Sequence, residues 1–299
     1  PMDTLPTAYG GNQTLKITLK DKAFPIFIDL YYTVFEQTDV ITRRAVVRNE
    51  ANAPLTIRRI MSMTMDLPDE CFQMYTLDGG WIKEANLHKR PVTYGITVNS
   101  STTGASSNRH NPAFIIAEAD ANEDYGDVYA FNMIYSGNHY SIAEKNERDD
   151  VRVSMGINPH LFEWIVSPGD KFETPECVMS YSSRGFNGTS HHMHDFINEH
   201  IVRGDYKKKD RPVLLNNWEA HFFDFNEGKL LRFAKDAKEL GVELFVLDDG
   251  WFGDRNNDNA GLGDYTVNPK KLPQGIKVFA DKIRKIGLNF GLWFEPEMV

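Results

Sequence analysis

Between residues 213 and 294, three short apolar runs alternate with two segments of helical period, and this order leaves few folds open. Residues 213–216, 243–247 and 289–294 read as strands, while residues 226–240 and 275–286 read as helices stopped by Gly241 and Gly287. Strands joined by crossover helices run parallel, and a parallel sheet must be covered by helices on both faces or closed into a ring. The turn after the first strand, Asn216-Asn217-Trp218-Glu219-Ala220, has no Gly-x-Gly-x-x-Gly, which disfavours a doubly wound nucleotide-binding sheet. A (β/α)8 barrel is favoured, because Trp218, Asp248, Asp249, Trp251, Glu295 and Glu297 fall just beyond strand ends, where barrels place their sites. Three strands and two helices are too few to close one. The expectation is therefore an incomplete (β/α)8 TIM barrel belonging to a longer protein.

Upstream, from about residue 13 to 181, the pattern is short alternating segments broken by Gly, Pro, Asn and Asp, which reads as all-β. Leu15-Lys16-Ile17-Thr18-Leu19-Lys20 alternates apolar with polar, and residues 26–32 follow Pro25 as its more buried partner. Further strands are expected at 40–49, 55–65, 93–98, 113–117, 128–135, 151–156 and 177–181, enough for a large sandwich. Residues 190–201 read as a linker helix capped by Ser190, with Phe196, Ile197, His200 and Ile201 on one face. The expected domains are 1–185 (β), 186–210 (linker helix and charged turn) and 211–299 (start of the barrel).

A formal net charge of −9 argues against nucleic acid, whose binding needs a basic surface. No apolar run approaches the roughly 18 residues of a membrane span. Cys71 and Cys177, the only cysteines, form no disulfide scaffold or C-x-x-C motif, and no signal peptide is legible, so a reducing cytoplasm is expected. The sequons at Asn12, Asn99 and Asn187 are read as chance triplets.

Leu247-Asp248-Asp249-Gly250-Trp251 places two carboxylates where a buried strand emerges, followed by a flexible glycine and a large aromatic. Carboxylates accept hydrogen bonds from ring hydroxyls, and an indole covers the apolar face of a pyranose, so the pattern suits a sugar. Trp218, at the mouth of the preceding strand, is placed to supply the wall. The competing reading is that the aspartates brace the loop and the tryptophans fill gaps. Adjacent residues cannot flank a glycosidic bond as a catalytic pair about 5–5.5 Å apart must. Glu295 and Glu297 share a side of the chain and are more readily loop braces than acid and base. Asp254, Asn256 and Asp258 start like a calcium loop, but Asn259 and Tyr265 stand where Gly and Glu are required. His191, His192 and His194 point to different sides of a helix and are read as a solvated helix start. Trp81, after Gly79-Gly80, is more readily a packing residue than a sugar platform when taken alone.

Three segments together resemble the bacterial glycoside hydrolase family 36 α-galactosidases: Arg211-Pro212-Val213-Leu214-Leu215-Asn216-Asn217-Trp218-Glu219-Ala220, Leu244-Phe245-Val246-Leu247-Asp248-Asp249-Gly250-Trp251-Phe252-Gly253, and Gly291-Leu292-Trp293-Phe294-Glu295-Pro296-Glu297-Met298. The β region agrees through Met65-Asp66-Leu67-Pro68, Gly104-Ala105-Ser106-Ser107, His110-Asn111-Pro112, Tyr135-Ser136-Gly137-Asn138 and Thr174-Pro175-Glu176. The resemblance implies an N-terminal β-supersandwich, a central barrel and a C-terminal β domain. It also implies a retaining mechanism whose two catalytic aspartates lie on later barrel strands, so that this chain carries no catalytic residue and is inactive alone. By the same resemblance Asp248 and Asp249 hold galactose hydroxyls, Trp218 is a pocket aromatic, and Trp81 reaches a sugar site, that of a neighbouring subunit included. The implied substrates are melibiose, raffinose and stachyose, with no cofactor or metal, and the implied assembly is a homotetramer. His221-Phe222, Asn108-Arg109 and Tyr265 depart from the family pattern of Thr-Tyr, His-Gln and Trp, at the pocket rim. Two alternatives stay open: a galactosyltransferase of the raffinose-synthase type, and a non-catalytic sugar-binding protein if the chain is naturally this short.

Overall fold

The computed structural model describes residues 5–68, 71–106 and 109–295. The chain divides into two compact units, residues 1–207 and 208–299.

The first unit is built on a nine-stranded antiparallel sheet. Its order is Gln13–Lys20, Ile26–Phe35, Val40–Asn49, Glu176–Ser182, Val128–Ile134, His110–Glu118, Phe72–Asp78 and Asn86–Pro91, with Lys171–Glu173 also paired to Val40–Asn49. A three-stranded sheet runs His139–Lys145, Val151–Ile157, Met61–Leu67. Alternation makes the core: Val151, Val153 and Met155, two residues apart, are fully buried and meet Phe72, Met74, Phe114, Ile116 and Phe131 of the larger sheet. Phe114 and Phe131 stack with centroids 4.9 Å apart.

Residues 15–20 and 26–32 pair as expected, in one antiparallel ladder that runs from Gln13 opposite Val34 to Lys20 opposite Phe27. The single strand expected over 55–65 is two strands in different sheets, Leu55–Ile57 and Met61–Leu67. Ile57 belongs to a small cluster with Val166 and Phe172, whereas Met63 enters the main core, so the chain turns between them at Arg58-Arg59. Strands Phe72–Asp78, Asn86–Pro91, His139–Lys145, Trp164–Val166 and Lys171–Glu173 carry no expectation from sequence. The helix expected from Ser190 begins at Gly185, which takes φ +65°. A Cβ on Gly185 would lie 2.2 Å from the Asn122 carbonyl oxygen, so the helix starts where only glycine fits. After Phe196 the helix widens into a π turn, Ile197–Ile201. That shift of phase buries Phe196 while leaving Ile197 exposed, unlike the single apolar face expected for both.

Asp29 is buried beneath Thr18, Arg48 and Lys16, whose donor atoms lie 2.7, 2.9 and 3.0 Å from its carboxylate. Burial alone would raise its pKa, but these hydrogen bonds outweigh it and hold the value at about 2. A depressed carboxyl stabilises the fold above its unfolded value near 3.8, and that contribution is lost as pH falls through about 2. Asp29→Asn is expected to cost about 2 kcal/mol at pH 7, shrinking toward zero near pH 2. Urea denaturation of both proteins across that range checks it, and a difference independent of pH would contradict the assignment.

The second unit has three parallel strands, Leu214–Asn216, Leu244–Leu247 and Asn289–Leu292, with Leu244–Leu247 in the centre. The helices are Trp218–His221, Glu227–Glu239 and Gly275–Ile286. Asn226 caps the second of these, its Oδ1 accepting from the Lys229 amide at 3.0 Å. Leu230, Ala234 and Ala237 form its buried stripe, and Phe279, Ala280 and Ile283 that of the third helix. Both stripes enclose Phe245 and Leu247. Gly287, at φ +94°, ends the last helix and turns the chain into the third strand. The strands expected at 213–216, 243–247 and 289–294 are shorter by one, one and two residues. Among the described residues the sheet does not close into a barrel.

Candidate functional site

At the C-terminal ends of the three parallel strands, backbone and side chains are tied into one polar cluster. Asn216 Nδ2 donates to Asp248 Oδ2, and Asn216 Oδ1 accepts from the Trp218 amide at 2.7 Å. Asn217 is fully buried, and its Oδ1 accepts from the Asp248 amide at 2.8 Å. The paired asparagines thus splice the end of the first strand to the end of the second. Trp218 and Asp248 are thereby brought to the same edge, both half-buried.

The two aspartates do different work. Asp248 Oδ1 accepts from the Asp249 amide at 2.7 Å, and the residue is half-buried. Asp249 is 5% exposed and bound by Arg255, itself 5% exposed: Nη2 lies 2.8 Å from Oδ2, and Nε lies 3.1 and 3.2 Å from the two oxygens. The Gly250 amide donates to Asp249 Oδ1 at 2.6 Å. The ion pair with Asp249 holds the guanidinium well above its ordinary pKa. Buried Lys271 donates to the Gly250 carbonyl at 2.8 Å and the Arg255 carbonyl at 3.2 Å, and sits 4.6 Å from the Phe225 ring centroid. Burial lowers its pKa. One buried carboxylate, Asp249, and two buried cations meet in this turn beside the half-buried Asp248, and Gly250 takes φ +87°.

Of the aromatics, Trp218 meets Phe222 and Phe223 edge-on at 5.3 and 5.0 Å. Trp251 is 3% exposed, packs against Phe252, Tyr265 and Phe294, and donates its Nε1 proton to the Trp293 carbonyl at 3.0 Å. It is a packing residue with its polar edge satisfied, and it presents no sugar-facing surface. The Tyr265 hydroxyl donates to the Glu295 carbonyl at 2.8 Å and accepts from the Glu295 amide at 3.1 Å. An indole N–H could not do both, so this departure from the family pattern pins the exit of the third strand. Glu297 lies outside the described residues.

Trp81 stands in the first unit, at the tip of the hairpin joining Phe72–Asp78 to Asn86–Pro91, and is 85% exposed. Gly79 makes the turn possible, since a Cβ there would sit 1.8 Å from the Lys83 carbonyl oxygen. Within this chain its side chain stands open to solvent. His192 is bonded to Ser180 at 2.9 Å and lies 3.4 Å from Asp39, while His200 is bonded to the Tyr9 carbonyl at 2.8 Å. These histidines anchor the helix at separate points. Among the described residues no group of three or more His, Cys, Asp or Glu is placed to hold a metal ion.

Asn216, Asn217, Arg255 and Lys271 were not singled out from sequence. The doubled asparagine at a strand end was the available signal. Arg255 and Lys271 gave none, because a cation within a polar loop is ordinarily solvated.

Residues 1–167 match the glycosyl hydrolase family 36 N-terminal domain, and residues 171–299 match Melibiase. The chain belongs to glycosyl hydrolase family 36. It is 42% identical, over its full length, to α-galactosidase AgaA of Geobacillus stearothermophilus, and 44% identical over 96% of its length to α-galactosidase Mel36A of Lactobacillus acidophilus. It spans 41% and 39% of those two proteins. The structure of an α-galactosidase from Lactobacillus brevis superposes on all of this chain and 41% of its own, at TM-score 0.94 and 39% identity. A variant of AgaA in complex with raffinose superposes at TM-score 0.92 and 42% identity, over 99% of this chain and 42% of its own. Among the described residues no helix is long and apolar enough to cross a membrane.

Proposed function

We propose that this chain is part of a retaining α-galactosidase that releases terminal galactose from melibiose, raffinose and stachyose. The observation that carries the reading is identity above 40% to α-galactosidases along essentially the whole chain. In this reading the three parallel strands open a (β/α)8 barrel that follows a β-supersandwich, with domains at 1–185, 186–210 and 211–299. Asp248 accepts hydrogen bonds from galactose hydroxyls through the lone pairs that Asn216 and the Asp249 amide leave free, and Trp218 covers the apolar face of the ring. Asp249 contributes lone pairs left over from Arg255 and fixes the turn. Trp81 reaches the sugar site of a neighbouring subunit in a cytoplasmic homotetramer. No cofactor or metal takes part.

The nucleophile and the acid/base belong to later strands of a longer protein, so this chain binds galactose without cleaving galactosides. The test is galactose release from p-nitrophenyl α-galactoside, measured on the 299-residue chain and on a longer chain that continues it. The first is expected to be silent and the second active. Turnover by the 34.2 kDa chain would move the chemistry onto residues present here, Glu295 and Glu297 first. An inactive longer chain would remove the activity altogether.

A further inference from the structure

The strand-end cluster holds one cation that touches both halves of the candidate sugar site. Arg255 grips Asp249 through Nε and Nη2, and Nη1 donates to the Ala260 carbonyl at 3.1 Å. Its guanidinium carbon lies 5.6 Å from the Phe223 ring centroid. Phe223 in turn meets Trp218 edge-on at 5.0 Å, and its Cδ1 would lie 2.9 Å from a Cβ on Gly250. Lys271 closes the arrangement from below, binding the carbonyls of Gly250 and Arg255 together. Gly261, at φ +78°, lets the loop fold back so closely that a Cβ there would be 3.2 Å from the Arg255 amide nitrogen.

We propose that Arg255 is a positioning residue for galactose recognition: it sets the Asp248–Asp249–Gly250 turn through Asp249 and the Trp218 ring through Phe223, so that acceptor and wall face the sugar together. The inference rests on the sugar-binding reading given above and adds to it the group that aligns its two parts. Arg255 itself touches no substrate in this arrangement, because Nε and Nη2 bind Asp249, Nη1 binds the Ala260 carbonyl, Asp258 lies 4.0 Å from Nη2, and the side chain is almost wholly enclosed. A fork is needed for this task. An ammonium at the same place keeps the charge but cannot hold both Asp249 oxygens and the Ala260 carbonyl in a fixed plane beside the Phe223 ring.

The experiment uses the 299-residue chain labelled with 5-fluorotryptophan, whose five tryptophans give five fluorine resonances assigned by single Trp→Phe variants. D-galactose is titrated into the wild type, Arg255→Lys and Asp248→Asn. The wild type is expected to shift the Trp218 resonance saturably. Arg255→Lys is expected to displace that resonance before any sugar is added, leave those of Trp81 and Trp164 in place, and weaken galactose binding about tenfold. A purely structural arginine would lower the melting temperature without selectively moving Trp218 or the affinity of the remaining folded protein. If galactose moves Trp218 in the wild type while Arg255→Lys changes neither its resonance nor the affinity, the positioning role is wrong and the sugar site stands. If galactose leaves the wild-type spectrum unchanged, the sugar-binding reading fails, and the positioning role with it.

Discussion

Replacing Asp249 by Ala should destabilise the second unit by about 3–5 kcal/mol, because it strands the Arg255 guanidinium in a site 5% exposed. The attraction between the two charges is offset largely by the loss of their hydration, so the pair itself adds little net stability. Removing one partner is a different matter, since the remaining charge keeps its desolvation penalty and loses the carboxylate that binds it at 2.8 and 3.2 Å, leaving the exposed Asp258 at 4.0 Å. The Gly250 amide also loses its acceptor. Asp249→Ala/Arg255→Met, which removes both charges and keeps apolar volume, is expected to recover most of the loss. Denaturant unfolding followed by tryptophan fluorescence measures both variants. A cost below about 1 kcal/mol for the single change would mean that water reaches Arg255 and that the turn is not dry.

Asp248→Asn should have the opposite profile, weakening D-galactose binding by about 10- to 100-fold while shifting stability by no more than about 1 kcal/mol. The carboxylate is half-buried and makes its two protein hydrogen bonds with the Asp249 amide and Asn216. An amide can still accept from the Asp249 backbone. Its nitrogen then meets the Asn216 Nδ2 donor, so one protein hydrogen bond is lost, at about 1 kcal/mol, while the charged acceptor for a hydroxyl is replaced by a neutral group and the stronger, charge-assisted hydrogen bond is forfeited. Calorimetric titration with D-galactose alongside thermal unfolding separates affinity from stability. Unchanged affinity would place the hydroxyl acceptor elsewhere, with Asp249 the next candidate. Together the two substitutions assign recognition to one aspartate and structure to its neighbour.

The strand-end location of Asp248, Asp249 and Trp218 was legible because it depends on local patterns: an apolar run, a break at Gly250, and helices whose stops are glycines. The last helix, 275–286, agrees to the residue because Gly275 and Gly287 both take positive φ and mark its ends in the chain itself. The five strands without an expectation include Lys171–Glu173 and Trp164–Val166, each only three residues long, too short for a period to register. Asn86–Pro91 is exposed or half-buried throughout and so lacks the alternation that marks a half-buried strand.

The division of labour within Asp248-Asp249 and between Trp218 and Trp251 has another origin. Periodicity and turn chemistry act between residues a few positions apart, and they suffice to lay down parallel strands with carboxylates and indoles at their ends. Which carboxylate is enclosed depends on Arg255, six residues on in a loop, and on Lys271, which returns to the same turn from twenty-one residues beyond Gly250. Which indole is covered depends on Tyr265 and on the backbone of Trp293 in the third strand. Burial is a property of the assembled surface, set by what the chain folds on top of a residue, and it was the packing of those distant segments that enclosed Asp249 and Trp251 while leaving Asp248 and Trp218 half-buried.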